Sequence, residues 1–325
     1  MEQIALGTSG SHTTRLGFGC SSLMGAMGRG DSLRLLEAAY DAGIRHFDVA
    51  PMYGYGEAES CLGEFLQHHR DQVTITTKYG IAPAKNSALI RAGRRLAAPV
   101  IKQIPSLKQR IAKTVNAVVR NDERPTFTAA QAKASLDRSL ASLGTDRIDL
   151  WLLHEVTAHN LEDDNLLRLL EDLVQQGTIG TFGIGSNAGK IPALLAERPA
   201  YCRTLQYEWS ILDSPIPTSK PFRIHHRALT DNFRALHAAL VKNKSLCQRW
   251  SLSTNADLSH AETLANLMLK AALRTNPSSI VLFSSKNPRH IQANVNTAAD
   301  ATLDQPAGQL YTLVQSEREQ LINIP

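Results

Sequence analysis

Short apolar, β-branched runs alternate along this chain with amphipathic stretches of ten to eighteen residues, the rhythm of repeated strand–helix units. Runs at 15–19, 44–49, 73–77, 148–153, 181–185, 203–207, 222–226 and 279–284 predict eight strands. Apolar residues at three- and four-residue spacing predict helices over 31–42, 57–68, 128–143, 161–176, 189–197, 260–275 and 288–298, with one more near 308–321. Asp31 and Thr128 are the expected N-caps, and Gly43, Gly144 and Gly177 stand where helices stop. Sequential parallel strands with right-handed crossovers close into a barrel or open into a doubly wound sheet, and eight units favour closure. The expected fold is therefore α/β, a (β/α)8 or TIM barrel, with residues 1–325 forming one domain.

Two segments break the rhythm. Residues 79–126 insert 48 positions between the third strand and its helix, far beyond an ordinary βα loop. Residues 208–259 carry extra material around Pro215, Pro217 and Pro221, with an additional helix expected at 231–243. No internal repeat or low-complexity run accompanies either segment.

Composition adds limits to this picture. Of 325 residues, 43% are hydrophobic and 20% charged, an ordinary globular balance with enough apolar material for a full core. No run approaches the roughly 18 apolar residues of a spanning helix, and the acid-bearing N-terminus lacks a signal-peptide pattern. Cys20, Cys61, Cys202 and Cys247 are widely spaced, so reduced thiols in a cytoplasmic protein are expected, with neither disulfide nor metal role. The formal charge of +5 is uneven, because residues 79–126 hold ten Lys or Arg against Asp122 and Glu123. That segment carries +8 and the remainder −3, so the basicity belongs to the insertion and does not suggest a nucleic-acid-binding surface. Ile104, Leu107, Ile111, Val115 and Val118 predict an amphipathic helix there, with Lys108, Arg110 and Lys113 off its apolar stripe.

The glycines of Gly183-Ile184-Gly185-Ser186-Asn187-Ala188 fit G-x-G-x-x-A after a strand, the pattern of a dinucleotide-binding turn. However, Pro192 and Pro199 flank a short helix, and the next strand ends in Gln206-Tyr207-Glu208 rather than in the usual acid. A tight βα turn in a barrel accounts for the glycines better.

Polar residues at strand ends carry the chemistry. Asp48 ends the second strand with Tyr53 close behind, Lys78 ends the third and His154 the fourth. Barrel residues at these ends face one mouth, where the four would converge. A free tyrosine titrates near 10, a neighbouring Lys⁺ is expected to lower that value, and Asp⁻ would hold the lysine charged. A nearby histidine can then donate to a carbonyl oxygen and orient it.

The run from Gly43 to Gly54, GIRHFDVAPMYG, with Gly56, Glu57 and Glu59 after it, resembles the signature of the aldo-keto reductase family. Thr77-Lys78, the run from Leu143 to Leu150 and Phe182-Gly183-Ile184-Gly185-Ser186-Asn187 extend the resemblance. It implies an oxidoreductase transferring a hydride between NAD(P)(H) and a carbonyl or aldose carbon, with Tyr53 as general acid/base, Lys78 and Asp48 tuning it and His154 orienting the carbonyl. By the same resemblance Ser186, Asn187 and Gln206 hold the carboxamide, His226 stands where an aromatic would stack on the nicotinamide, and Gly19 and Cys20 join the cofactor-binding set. Ser284, Ser285, Lys286, His290 and Asn294 resemble the adenosine-phosphate segment, where Lys286 beside a 2′-phosphate favours NADP(H) over NAD(H). The chain departs from the family at strand seven, where many members place an aromatic residue and this one has His226 and Arg227. Two alternatives stay open: a cofactor-binding barrel acting as a regulatory or scaffold subunit, and an aldose C1 dehydrogenase running in the oxidative direction. The expected partner is a small carbonyl or sugar substrate, anionic if the basic insertion forms a lid over the mouth.

Overall fold

Strand parity sorts each apolar run into a set facing the barrel lumen and a set facing the helices. The computed structural model describes residues 1–25, 27–83, 127–214, 216 and 221–318. A two-stranded antiparallel hairpin, β1 (Gln3–Ala5) and β2 (His12–Thr14), precedes the main sheet. Eight parallel strands follow: β3 (Leu16–Gly19), β4 (His46–Asp48), β5 (Thr74–Tyr79), β6 (Ile148–His154), β7 (Ile179–Gly185), β8 (Thr204–Glu208), β9 (Phe222–His226) and β10 (Ser279–Phe283). They pair in sequence order and close through β10 against β3, a (β/α)8 barrel.

Amphipathic helices cover the outside: α1 (Arg29–Asp41), α2 (Ala58–His69), α3 (Ala129–Leu143), α4 (Asp164–Gln175), α5 (Ile191–Glu197), α8 (Ala261–Thr275) and α9 (Pro288–Ala299). Two helices, α6 (Asp231–Lys242) and α7 (Lys244–Thr254), lie between β9 and α8, and α10 (Asp304–Ser316) packs against α7 and α8. Outward strand residues such as Phe47, Ile75, Trp151 and Leu205 join Leu36, Phe65, Leu136 and Leu170 in the larger core. Each such fully buried side chain contributes about 1.5–3 kcal/mol. The lumen holds a smaller apolar cluster of Leu150, Leu152, Ile224, Ile280 and Leu282, joined by Leu6 from the hairpin turn. The inward positions of β4 and β5 are polar instead: His46 hydrogen-bonds Thr74 at 3.0 Å and Thr76 at 3.3 Å.

Several expectations are corrected at this level. Gly28, not Asp31, caps α1, which begins two residues earlier; Asp31 lies in the first turn and pairs with Arg34. Thr128 does cap α3, its hydroxyl accepting from Gln131 N, and Gly144 closes that helix in the left-handed conformation. The hairpin and α7 were not expected, and the last helix starts at Asp304, four residues early. The dinucleotide-like glycines belong to the barrel wall: a Cβ on Gly183 would lie 2.1 Å from Thr204 O. The insertion helix expected at 104–118 lies outside the described residues. Among the described residues, no helix is long and apolar enough to cross a membrane.

Candidate active site

Inward parity at the upper strand ends brings Gly19, Asp48, Lys78, His154, Gly185, Gln206 and His226 to one mouth, as the registers Gly19↔Asp48, Lys78↔Leu152, His154↔Gly185 and Glu208↔His226 require. Tyr53 enters from a 3-10 turn, Tyr53–Gly56, seated against the segment before α1. Gly54 makes that seat possible: its φ is +60°, and a Cβ there would lie 2.6 Å from both Leu23 O and Met24 Cβ.

Beneath the mouth, Lys78 Nζ donates to Asp48 Oδ1 at 2.5 Å and to Val49 O at 3.0 Å, and it stands 5.3 Å from the centre of the Tyr53 ring. Gln206 Nε2 donates to Asp48 Oδ2 at 2.6 Å. Burial is the largest influence on Lys78 and opposes its charge, but Asp48 and Tyr53 together hold the ammonium above its ordinary value. Lys78 pulls hardest on the Tyr53 phenol, downward, yet burial and Asp48 together leave it raised. The lowering expected from Lys78 is thus present but outweighed, by burial first and Asp48 second, so Tyr53 keeps its proton at neutral pH. His154 is lowered to about 3 by burial and then by Lys78, so its ring is neutral, and its buried Nδ1 has no hydrogen-bond partner. His226 is likewise lowered, chiefly by burial.

A cavity of about 340 Å³ opens over these groups. Of the residues expected from the sequence, Gly19, Asp48, Tyr53, His154, Ser186, Gln206, His226, Ser284 and Asn294 line it, and Lys78 lies buried behind Asp48. Its lining includes Tyr53 and His154 as well as Ser284 and, on α9, Asn294.

Five expected cofactor residues lie outside the lining. The Cys20 side chain is fully buried, its Sγ 3.9 Å from Phe18 O, because the chain turns inward there; only its backbone can serve the mouth. Asn187 is exposed and accepts from Gly189 N at 3.0 Å, closing the next turn. Ser285 is taken up by Asn287, accepting from its N–H and donating to its carbonyl, both at 3.1 Å. Lys286 and His290 are exposed at the start of α9, where Asn287 already caps one N–H, that of Arg289.

The cavity also includes residues that sequence reasoning passed over, among them Ser21, Glu155, Thr230 and Phe283. Glu155 directly follows His154, yet its ion pair with Lys190 at 2.8 Å joins two βα loops and leaves no local pattern. Met24, Tyr55, Glu155 and Arg227 have φ between 56° and 62°, conformations that cost side-chain-bearing residues energy. Glu155 and Arg227 border the cavity, Met24 packs where Gly54 must be bare, and Tyr55 follows Gly54.

A family model described as "Aldo/keto reductase family" matches residues 15–307. Among curated proteins, a pyridoxal 4-dehydrogenase from Microbacterium luteolum is 33% identical over 65% of this chain and 64% of its own length. A D-threo-aldose 1-dehydrogenase from a Pseudomonas species is 35% identical over 56% of the chain and 53% of its own. The chain thus spans about half to two thirds of these relatives' length. Among solved structures, an aldo-keto reductase from Bacillus halodurans in its holo form superposes with a TM-score of 0.67 at 20% identity, over 95% of this chain and 96% of that one. A glycerol dehydrogenase from Gluconobacter oxydans gives 0.67 at 16% identity, over 97% and 95%. At these identities the structural likeness speaks for the fold.

Proposed function

This chain belongs to the aldo/keto reductase family, and from that premise we propose that it is an NAD(P)-dependent oxidoreductase acting on a carbonyl or aldose substrate. One observation carries the reading: a protonated Tyr53 and a neutral His154 with an unpartnered Nδ1 line the same cavity, over a buried Lys78–Asp48 pair. A phenol that keeps its proton at neutral pH has one to give to an oxygen that is gaining charge, and such general-acid assistance is worth about 10²–10⁴-fold. The neutral His154 ring can hold that oxygen in line through a hydrogen bond. Lys78 stabilises Tyr53 once its proton has left, and Asp48 keeps Lys78 in place.

The nicotinamide cofactor, when bound, supplies or takes the hydride. The residues present fit it: the orphaned His154 Nδ1, the carboxamide-capable Ser186 and Gln206, and Ser284 and Asn294 all belong to one cavity. Lys286, exposed at the start of α9, supports a preference for NADP(H) over NAD(H). The +8 charge of residues 79–126 supports anionic substrates. Four buried thiols that form no disulfide support a cytoplasmic setting.

The test is a panel of matched neutral and anionic aldehydes and aldoses, run in both directions with both cofactors at low and high salt. NADPH-dependent turnover, greatest for anionic carbonyls at low salt, is expected. Cofactor binding by fluorescence quenching without turnover would favour the scaffold role instead.

A further inference from the structure

The polar contact reaching farthest in this site joins opposite walls of the barrel. Strands β4 and β8 stand four places apart in the ring of eight, so Gln206 crosses the lumen to reach Asp48. Asp48 is thereby held at both oxygens, Oδ2 by Gln206 Nε2 at 2.6 Å and Oδ1 by Lys78 Nζ at 2.5 Å. Both residues are almost fully buried, Gln206 at 4% exposure and Asp48 at 3%, so neither contact competes with solvent. The carboxylate torsion is broad, and a carboxylate held at one oxygen turns about it easily. Turning would carry Oδ1 off Lys78 and change how much of the lysine charge reaches Tyr53.

We propose that Gln206 is a positioning residue for proton transfer, fixing Asp48 and through it the Lys78 ammonium beside Tyr53, in addition to any contact it offers a cofactor. The inference rests on the assignment of Tyr53 as the proton carrier. The titratable groups facing Tyr53 are Lys78 from β5, Asp48 from β4, Cys20 after β3, His154 from β6 and His226 from β9, with Glu155 and Arg227 also on the cavity wall. Of these, Asp48 is the one whose orientation Gln206 sets. Without the amide, the Asp48 charge bears more fully on the phenol and Lys78 is held less squarely, and both changes favour the protonated form.

Gln206→Met removes the donor at similar length. The readout is the tyrosinate absorbance of each protein during a pH titration, minus that of its Tyr53→Phe counterpart, which needs neither cofactor nor turnover. The Tyr53 titration is expected to move up by roughly half to one pH unit in Gln206→Met. In an Asp48→Ala background the same substitution is expected to add almost nothing, because no acceptor is left for the amide. Should Gln206→Met not fold, Gln206→Glu places an acceptor against Asp48 and is expected to shift Tyr53 further upward. An unmoved titration, with only NADPH binding weakened, would overturn the proposal and leave Gln206 as a cofactor ligand alone. Because the titration is read without substrate, failure of the oxidoreductase assignment would appear separately, in the turnover panel.

Discussion

Replacing Lys78 by Met tests whether the buried pair is what sustains the site. The lysine and aspartate side chains are 2% and 5% exposed and 2.5 Å apart, so the substitution strands a carboxylate whose Oδ2 still accepts from Gln206. Removing one member of a buried pair costs about 3–5 kcal/mol. In a protein of this size that lowers Tm by roughly 4–8 °C. The loss has a direction in pH. A stranded buried carboxylate favours its protonated form, so the folded variant binds a proton more tightly than the unfolded chain does. Its stability therefore rises as pH falls, and the deficit against wild type is greatest at pH 8 and smaller at pH 5. Thermal unfolding followed by circular dichroism at the two pH values reads this directly. The double variant Asp48→Asn/Lys78→Met is expected to lose less than Lys78→Met alone, because no charge is left unpaired. Turnover in carbonyl reduction should fall by about 10²-fold or more, as for an impaired general acid. Equal deficits at both pH values, or a double variant as unstable as the sum of its parts, would refute the reasoning.

Tyr53→Phe is expected to keep the fold and NADPH affinity while lowering kcat by at least about 10²-fold, measured by steady-state kinetics beside a melting curve. Lys286→Ala should weaken NADPH binding by about 1–3 kcal/mol and leave NADH nearly unchanged; equal losses in quench titrations would remove Lys286 from any 2′-phosphate site. His46, lowered to about 4 by burial, and His225, lowered to about 3 by burial, are held neutral in the fold. Their contribution to stability is complete above pH 6.5, where an unfolded histidine is also neutral, and is lost as pH falls from there toward 4 and below. Denaturant titrations from pH 7 to pH 4 should show stability falling, with a shallower fall in His225→Phe.

Much of the fold was legible because inward and outward residues alternate cleanly. The strand at 222–226 is expected and observed with the same bounds, and 148–153 gains only His154. The hairpin was not legible: three-residue strands with the burial of Gln3, Ile4 and Ala5 carry too little period to register. Helix α7 has a signal in Asn243, whose side chain caps Leu246 N, but Leu252 on it is 78% exposed and blurs the apolar stripe. At the site, Asp48, Lys78 and His154 could be placed from their strand ends alone, whereas Gln206 came only with the family resemblance. Cys20, Asn187 and Ser285 could not, since a side chain beyond a strand end answers to the turn that follows. The raised Tyr53 phenol was invisible too, because its sign depends on the balance of burial and Asp48 against Lys78, which no spacing in the chain encodes.

Below the mouth, β6, β9 and β10 line the lumen with leucine and isoleucine, and β4 and β5 line it with hydrogen-bonded groups. The two sets of residues therefore face different demands over evolutionary time. On the apolar side, Leu150 or Ile280 can be exchanged for another aliphatic of similar volume, and neighbouring side chains can repack around the change at a cost usually below about 1.5 kcal/mol. On the polar side no such exchange exists, because each hydroxyl, imidazole, ammonium and carboxylate completes its neighbour's hydrogen bonding. Sequence drift inside this barrel should accordingly be one-sided, free along the aliphatic wall and arrested along the wall that holds the proton.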